Sequence, residues 1–179
     1  MHYTKTTKLI LCAVFAAITG ICSGIIIPLP FTPVPITLAT LAVMLTGSLL
    51  GSRYGSLSMI VYLLLGAFGA PVFKGYTGGF GNLVGPTGGY LLGYLLTAFL
   101  TGLIIEKLNK KNNLYIHAAA MAIGLSTCYL LGTAWFMFST NTDLWTALVS
   151  CVLPFLLADA LKITAGALLT VKLRAALDR

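Results

Sequence analysis

Charge is the scarcest property of this chain. Asp, Glu, Lys and Arg together make up 8 % of its 179 residues, and only four residues are acidic. A soluble domain is about 25 % charged, so a surface this poor in charge must face lipid. The residues of enzymatic sites are as thin. No G-x-x-x-x-G-K-[ST] run is present to cradle nucleotide phosphates. The glycines of GGFGNLVG fit no G-x-G-x-x-G and follow no βαβ pattern. No Ser, Cys or Thr has a partner His and acid at recognisable spacing. His117 stands alone near the start of an apolar run, as a neutral interfacial residue would. Cys12, Cys22, Cys128 and Cys151 all fall inside apolar runs and none is paired at metal-ligand spacing. That argues against a disulfide framework or a zinc site. They read as small apolar fillers.

What the chain has instead is apolar length. Its residues are 58 % hydrophobic and its mean hydropathy is +0.97, and a membrane span needs about 20 apolar residues. Six transmembrane helices are predicted, roughly 9–27, 36–50, 54–69, 86–105, 114–138 and 144–171, as one integral membrane domain over 1–179. The first run is too long for a signal-peptide core and no A-x-A cleavage site follows, so it reads as a retained helix. Pro28, Pro30, Pro33 and Pro35 end it and favour an extended path. A tight turn around 51–53 separates the second and third spans.

The net charge of +7 would suggest nucleic acid if its placement were ignored. The basic residues sit at the ends of apolar runs. With the N-terminus inside, Lys5, Lys8, Arg53, Lys107, Lys110, Lys111, Lys172, Arg174 and Arg179 are all cytoplasmic, and the outer loops hold Lys74 alone. The positive-inside rule therefore places both termini in the cytoplasm of a multi-pass cell-membrane protein. No nucleic-acid partner is implied. Trp135 and Trp145 flank the outer loop 139–143 as an interfacial belt.

Residues 71–90, PVFKGYTGGFGNLVGPTGGY, organise the rest. They hold seven glycines alternating with Phe73, Tyr76, Phe80 and Tyr90, and one charge. Such a stretch reads as a shaped loop lining a cavity, because a plain spacer has no need of the aromatics. Gly85-Pro86-Thr87 opens the fourth helix with Pro at its first position. Its free N–H groups and partial positive charge suit an anionic ligand group. Asn82 offers two donors and an acceptor, though alone it reads as a turn residue.

Only Asp159 and Lys162 are ionisable and deep in a predicted span. Each would cost about 2.5–3.5 kcal/mol at bilayer depth, and their i, i+3 spacing puts them on one face where they offset each other. An intramembrane ion pair is either a pin between helices or a functional site, and the second reading is preferred. Small residues recur every four positions: Gly85, Gly89, Gly93, Thr97 and Thr101 on helix four, Gly47, Gly51 and Gly55 at the second junction, and Ala13–Ala17 beside Ala16–Gly20–Gly24 on helix one. Such strips allow close backbone approach in lipid.

Three stretches, FTPVPITLATLAVML (31–45), PVFKGYTGGFGNLVGPTGGYLLGY (71–94) and ADALKITAG (158–166), resemble the BioY family across nearly the whole chain. These are the biotin-binding substrate subunits, or S components, of energy-coupling factor (ECF) transporters. The resemblance implies an all-α membrane protein of the S-component fold, six helices with a lid loop between the first two. It implies biotin uptake powered by a coupling transmembrane subunit and two ATPase subunits. ATP is then used by the partners, and the chain is neither an enzyme nor a cofactor carrier. Carried over residue by residue, the family's ligand-binding Asn, Asp and Lys match Asn82, Asp159 and Lys162, and its Ala-x-x-x-Ala docking element matches Ala13 and Ala17. Some members use a basic residue further along helix four; here 92–101 contains none. The ureido group suits Asp159 and Asn82. The ring and tail suit walls from Phe31, Phe73, Tyr76, Phe80 and Tyr90, and the tail carboxylate suits Lys162 or the helix-four start at Gly85 and Thr87. Two other readings stand beside this one: an S component for a different vitamin, and an intramembrane enzyme using Asp159, which lacks a second carboxylate in the spans.

Overall fold

The computed structural model describes residues 4–30, 32, 34–108 and 112–177. Phe31, proposed above as a wall residue, lies outside them, as do Lys110, Lys111 and Arg179 of the charge argument. Among the described residues the chain is almost wholly helical. Five apolar helical runs are long enough to cross a membrane.

Helix α1 (Lys5–Gly24) starts where the Thr4 hydroxyl accepts the Thr7 N–H, as an N-cap should. It stops at Ile25, which turns extended ahead of Pro28. The prolines do not leave the segment unpaired: β1 (Ile26–Ile27) and β2 (Ile36–Thr37) form a small antiparallel ribbon, Ile26 opposite Thr37 and Ile27 opposite Ile36. The outer ends of the first two predicted spans are thus strand, not helix.

Helix α2 (Ala39–Ala67) is two helical limbs joined at one non-helical residue. At Gly51 the backbone takes φ 80° and ψ −177°, a conformation open only to glycine. The chain doubles back there. A Cβ on Gly55 would come within 3.1 Å of the Gly47 Cα, whereas an unbroken helix holds such residues about 12 Å apart. The two limbs, 39–50 and 52–67, therefore lie against each other with no loop between them, and five apolar runs make six helical limbs. The reversal exposes a new helix start, and Glu106 closes it. Its Oε1 accepts the Ser52 N–H at 2.9 Å and its Oε2 the Ser52 hydroxyl at 2.7 Å. A carboxylate at a helix N-terminus satisfies free N–H groups and the dipole together.

After a short helix α3 (Gly81–Val84), helix α4 (Gly88–Leu108) packs between α2 and α5 (Leu114–Thr140). The small-residue ridge on α4 faces α5: Gly93 sits against Cys128, and the Thr97 and Thr101 hydroxyls donate to the Gly124 and Ala120 carbonyls. On α1, Gly20 and Gly24 receive the side chains of Val72 and Tyr76, while Ala13 and Ala17 are exposed. Asn141 ends α5 in the left-handed region and Asp143 caps α6 (Leu144–Cys151). The last predicted span is broken at Val152–Pro154 by a 3-10 turn, Leu153–Phe155, because Pro has no N–H to continue the ladder. Helix α7 (Leu156–Leu177) resumes and packs on α2 and α5.

His117 corrects its sequence reading, for it is not interfacial but fully buried. The Asn112 amide donates to the Val171 carbonyl at 3.0 Å, so its oxygen accepts from His117 Nε2 at 2.9 Å. That leaves Nδ1 to accept the Ser48 hydroxyl at 3.1 Å. Arg174 adds a donor to the Ser48 carbonyl at 2.7 Å. This polar knot fastens the ends of α2's first limb, α5 and α7 at the Gly51 end of the bundle.

Candidate ligand site

At the other end of the bundle, where the loops gather, a cavity opens partly to the outside. Its walls are mostly apolar or aromatic, from Val34 and Pro35 of the ribbon loop, Phe73, Tyr90, Tyr94, Leu125 and Phe155. Polar groups converge on it from two sources. Helices α2, α5 and α7 bring Thr40, Tyr129, Asp159 and Lys162, and the Gly-rich loop brings Lys74, Asn82 and Thr87.

Asp159 lies in the first turn of α7 and Lys162 one turn on, with fractional exposures of only 4 % and 9 %. Their i, i+3 spacing brings Lys162 Nζ within 2.8 Å of Asp159 Oδ1. Thr40 completes a triangle, accepting from Lys162 at 3.1 Å and donating to Asp159 Oδ1 at 3.4 Å. The Tyr129 hydroxyl donates to Asp159 Oδ2. A carboxylate has about four acceptor positions. Three are filled by Lys162, Thr40 and Tyr129, so one on Oδ2 is unfilled by these donors. The acid is thus satisfied and aimed without a ligand, which is how a buried charge becomes tolerable.

Aromatic walls are set by glycines that leave room for rings. A Cβ on Gly66 would lie 2.1 Å from the Phe73 ring, and one on Gly132 would lie 2.2 Å from that of Tyr90. Phe73 is fully buried and meets Tyr62 edge-on at 5.5 Å between centroids. The Tyr62 hydroxyl in turn bonds Ser23 of α1 at 2.8 Å.

Of the residues singled out from sequence, Asn82, Asp159, Lys162, Thr87, Tyr90 and Phe73 meet at this cavity. Asn82 turns its amide N–H into its own loop, donating to the Gly78 carbonyl at 2.9 Å. Gly85 stands behind the wall, its carbonyl accepting the Trp135 indole N–H at 2.9 Å. Helix α4 begins at Gly88, beyond Pro86 and Thr87, so Pro86 is not its first residue. Tyr76 and Phe80 are not wall residues: they are 55 % and 65 % exposed, Tyr76 packing on Gly24. Sequence reasoning missed Thr40, Tyr129 and Tyr94. The one available signal was position, since Tyr129 falls in mid-span where an interfacial Tyr would not. Cys128 and Cys151, read as fillers, also touch the cavity as free thiols.

Fold and site together define a helical membrane protein built around a small-molecule cavity with a buried ion pair. The chain belongs to the BioY family, whose model matches residues 1–179. It is 39 % identical over 167 residues to the biotin transporter BioY of Thermotoga maritima, covering 93 % of this chain and 95 % of that one. It is 39 % identical to the probable biotin transporter BioY of Bacillus subtilis, over 93 % of this chain and 89 % of the relative. A crystal structure of the S-component for biotin from an ECF-type ABC transporter superposes with a TM-score of 0.90. The two chains share 31 % identity over 98 % of this chain and 94 % of that one.

Proposed function

We propose that this chain is the biotin-binding uptake subunit of an ECF-type transporter. It is a transport protein, not an enzyme, as its family membership gives. The observation that carries the reading is the single unfilled acceptor position of Asp159 at the polar end of an apolar cavity. A cyclic urea presents N–H donors that suit a fixed carboxylate, and Lys162 holds that carboxylate in place at 2.8 Å. Tyr90, Phe73 and Tyr94 offer flat apolar area to the fused rings. Asn82 and Thr87 lie in the same wall and supply further polar contacts.

The finer assignments follow from this reading. Both termini face the cytoplasm and the cavity opens outward, as the distribution of Lys and Arg requires. The partners are a coupling transmembrane subunit and two ATPase subunits, which use the ATP. Ala13 and Ala17 dock the coupling subunit: both are exposed small residues on one strip of α1, while the neighbouring Gly20 and Gly24 are already occupied from inside.

The test is binding by the purified protein in detergent or nanodiscs, with mass spectrometry of co-purified ligand. Saturable one-site binding of biotin, with no comparable affinity for other vitamins, is expected. Preference for another vitamin would replace the substrate, and absence of any bound small molecule would overturn the reading.

A further inference from the structure

One layer behind the aromatic walls of the cavity stands Tyr62, on the second limb of α2. It is fully buried and is not among the lining residues. Two of the rings that do line the cavity rest on it. Phe73 meets it edge-on at 5.5 Å between centroids, and Tyr94 lies 6.4 Å away at an interplanar angle of 35°. At such separations aromatic pairs favour particular orientations. Gly66 lies one turn further along the same limb, and the space it leaves is filled by the Phe73 ring. Tyr62 and Gly66 together make the seat of Phe73, and Tyr62 also backs Tyr94.

The Tyr62 ring is in turn fixed from another helix. Its hydroxyl shares a hydrogen bond of 2.8 Å with Ser23, itself buried in the last turn of α1. None of the described lining residues lies on α1, so Ser23 bears on the cavity through Tyr62. The two ends of this bond are not equivalent. A serine in a helix that loses its partner can turn its hydroxyl to the carbonyl four residues back, here that of Thr19. A tyrosine hydroxyl stands at the far end of a rigid ring, and a buried one needs a partner from elsewhere. Left unmade, such a bond is costly. A ring that shifts to find another acceptor takes Phe73 and Tyr94 with it.

We propose that Tyr62 is a positioning residue for the substrate. Held by Ser23, it fixes the planes of Phe73 and Tyr94 and thereby sets how tightly the cavity grips the second, sulfur-containing ring of biotin. The urea group, recognised by its hydrogen bonds, depends on those planes less. The role rests on the biotin reading above and names the part of the substrate on which it acts.

The experiment compares biotin with desthiobiotin, which keeps the urea ring and the acid tail and lacks the sulfur ring, by calorimetry on the purified protein. The parent should prefer biotin. Ser23→Ala, which strands the Tyr62 hydroxyl, should lower biotin affinity by about ten-fold, the scale of one unmade buried hydrogen bond, and leave desthiobiotin within about three-fold. Tyr62→Phe should stay within about three-fold of the parent for both, because the ring remains and Ser23 turns to its own helix. The double variant Ser23→Ala/Tyr62→Phe should recover the biotin affinity of Tyr62→Phe. A bond that served folding alone would lower melting temperatures without moving the ratio of the two affinities. A parent without preference for biotin, an unmoved ratio in Ser23→Ala, loss of both ligands by that variant, or a double variant no better than Ser23→Ala would overturn the role. A parent that binds neither ligand would instead overturn the biotin reading, and this role with it.

Discussion

Replacing Asp159 with Asn keeps the volume of the side chain and removes its charge, so it isolates what the carboxylate does. Lys162, 2.8 Å away and nine-tenths buried, would lose its counter-charge. Breaking a buried pair by removing one member costs about 3–5 kcal/mol, most of it the stranded charge. Expressed wholly in ligand binding, that is roughly a hundred- to several-thousand-fold in affinity. Tyr129→Phe is milder: Asp159 keeps Lys162 and Thr40 and loses one donor, about 1.5–3 kcal/mol. The double variant Asp159→Leu/Lys162→Met separates the two roles of the pair, since apolar replacement of both members of a buried pair is often neutral for stability. It should melt close to the parent and bind no biotin, whereas Asp159→Asn should lose both. The assay is calorimetric biotin titration with thermal unfolding of the same samples in detergent. A folded Asp159→Asn that binds biotin within a few-fold of the parent, or a double variant that still binds it, would refute the role given to this carboxylate.

Gly51→Ala should cost about 1–3 kcal/mol for the backbone conformation alone and more for displacing Glu106, whose Oε1 would lie 2.1 Å from the new Cβ; a melting temperature unchanged within a degree would show that the reversal at this residue is not as described. Single cysteines at Phe80 and Lys107, both exposed, in an otherwise Cys-free variant should label from opposite sides of intact cells, Phe80→Cys from outside. Labelling of both from outside would overturn the orientation. Leu at both Ala13 and Ala17 should leave biotin binding within about two-fold and abolish recovery of the coupling subunit in a pull-down, because bulk on that strip blocks close helix approach. Loss of biotin binding instead would mark the strip as internal packing. Gly66→Ala should displace Phe73 and weaken biotin binding; a variant with parental affinity would show that the ring does not shape the cavity.

Local signals carried much of the architecture. Apolar runs gave the helices, and Gly47, Gly51 and Gly55 marked the close junction where the chain turns back. The i, i+3 spacing of Asp159 and Lys162 was enough to place the ion pair, because both ends lie on one helix. What escaped was everything set by long-range contact. Thr40 reaches Asp159 across 119 residues and Tyr129 across 30, and nothing near either residue in sequence announces the partner. The aromatics of the Gly-rich loop were indistinguishable by composition. Phe73 turned inward because Gly66 leaves room for its ring, while Tyr76 turned to Gly24 on α1. His117 was misplaced for the same reason: its burial depends on Ser48, which reaches it across 69 residues.

The polar knot around His117 and Arg174 has a mechanical consequence. It grips α7 near the helix's last turn, and Asp159 lies in the first. At 1.5 Å per residue the two are about 22 Å apart along the axis, so α7 is a lever with its fulcrum at Arg174. A tilt of roughly 3° about that fulcrum carries the carboxylate by about 1 Å over such a length, enough to take a hydrogen bond of 2.8–3.0 Å out of its working range. Thr40 and Tyr129 ride on helices whose other ends join the same knot. Torque applied at the Gly51 end therefore reaches the acceptor array at the cavity as a change of spacing, with no loop having to move.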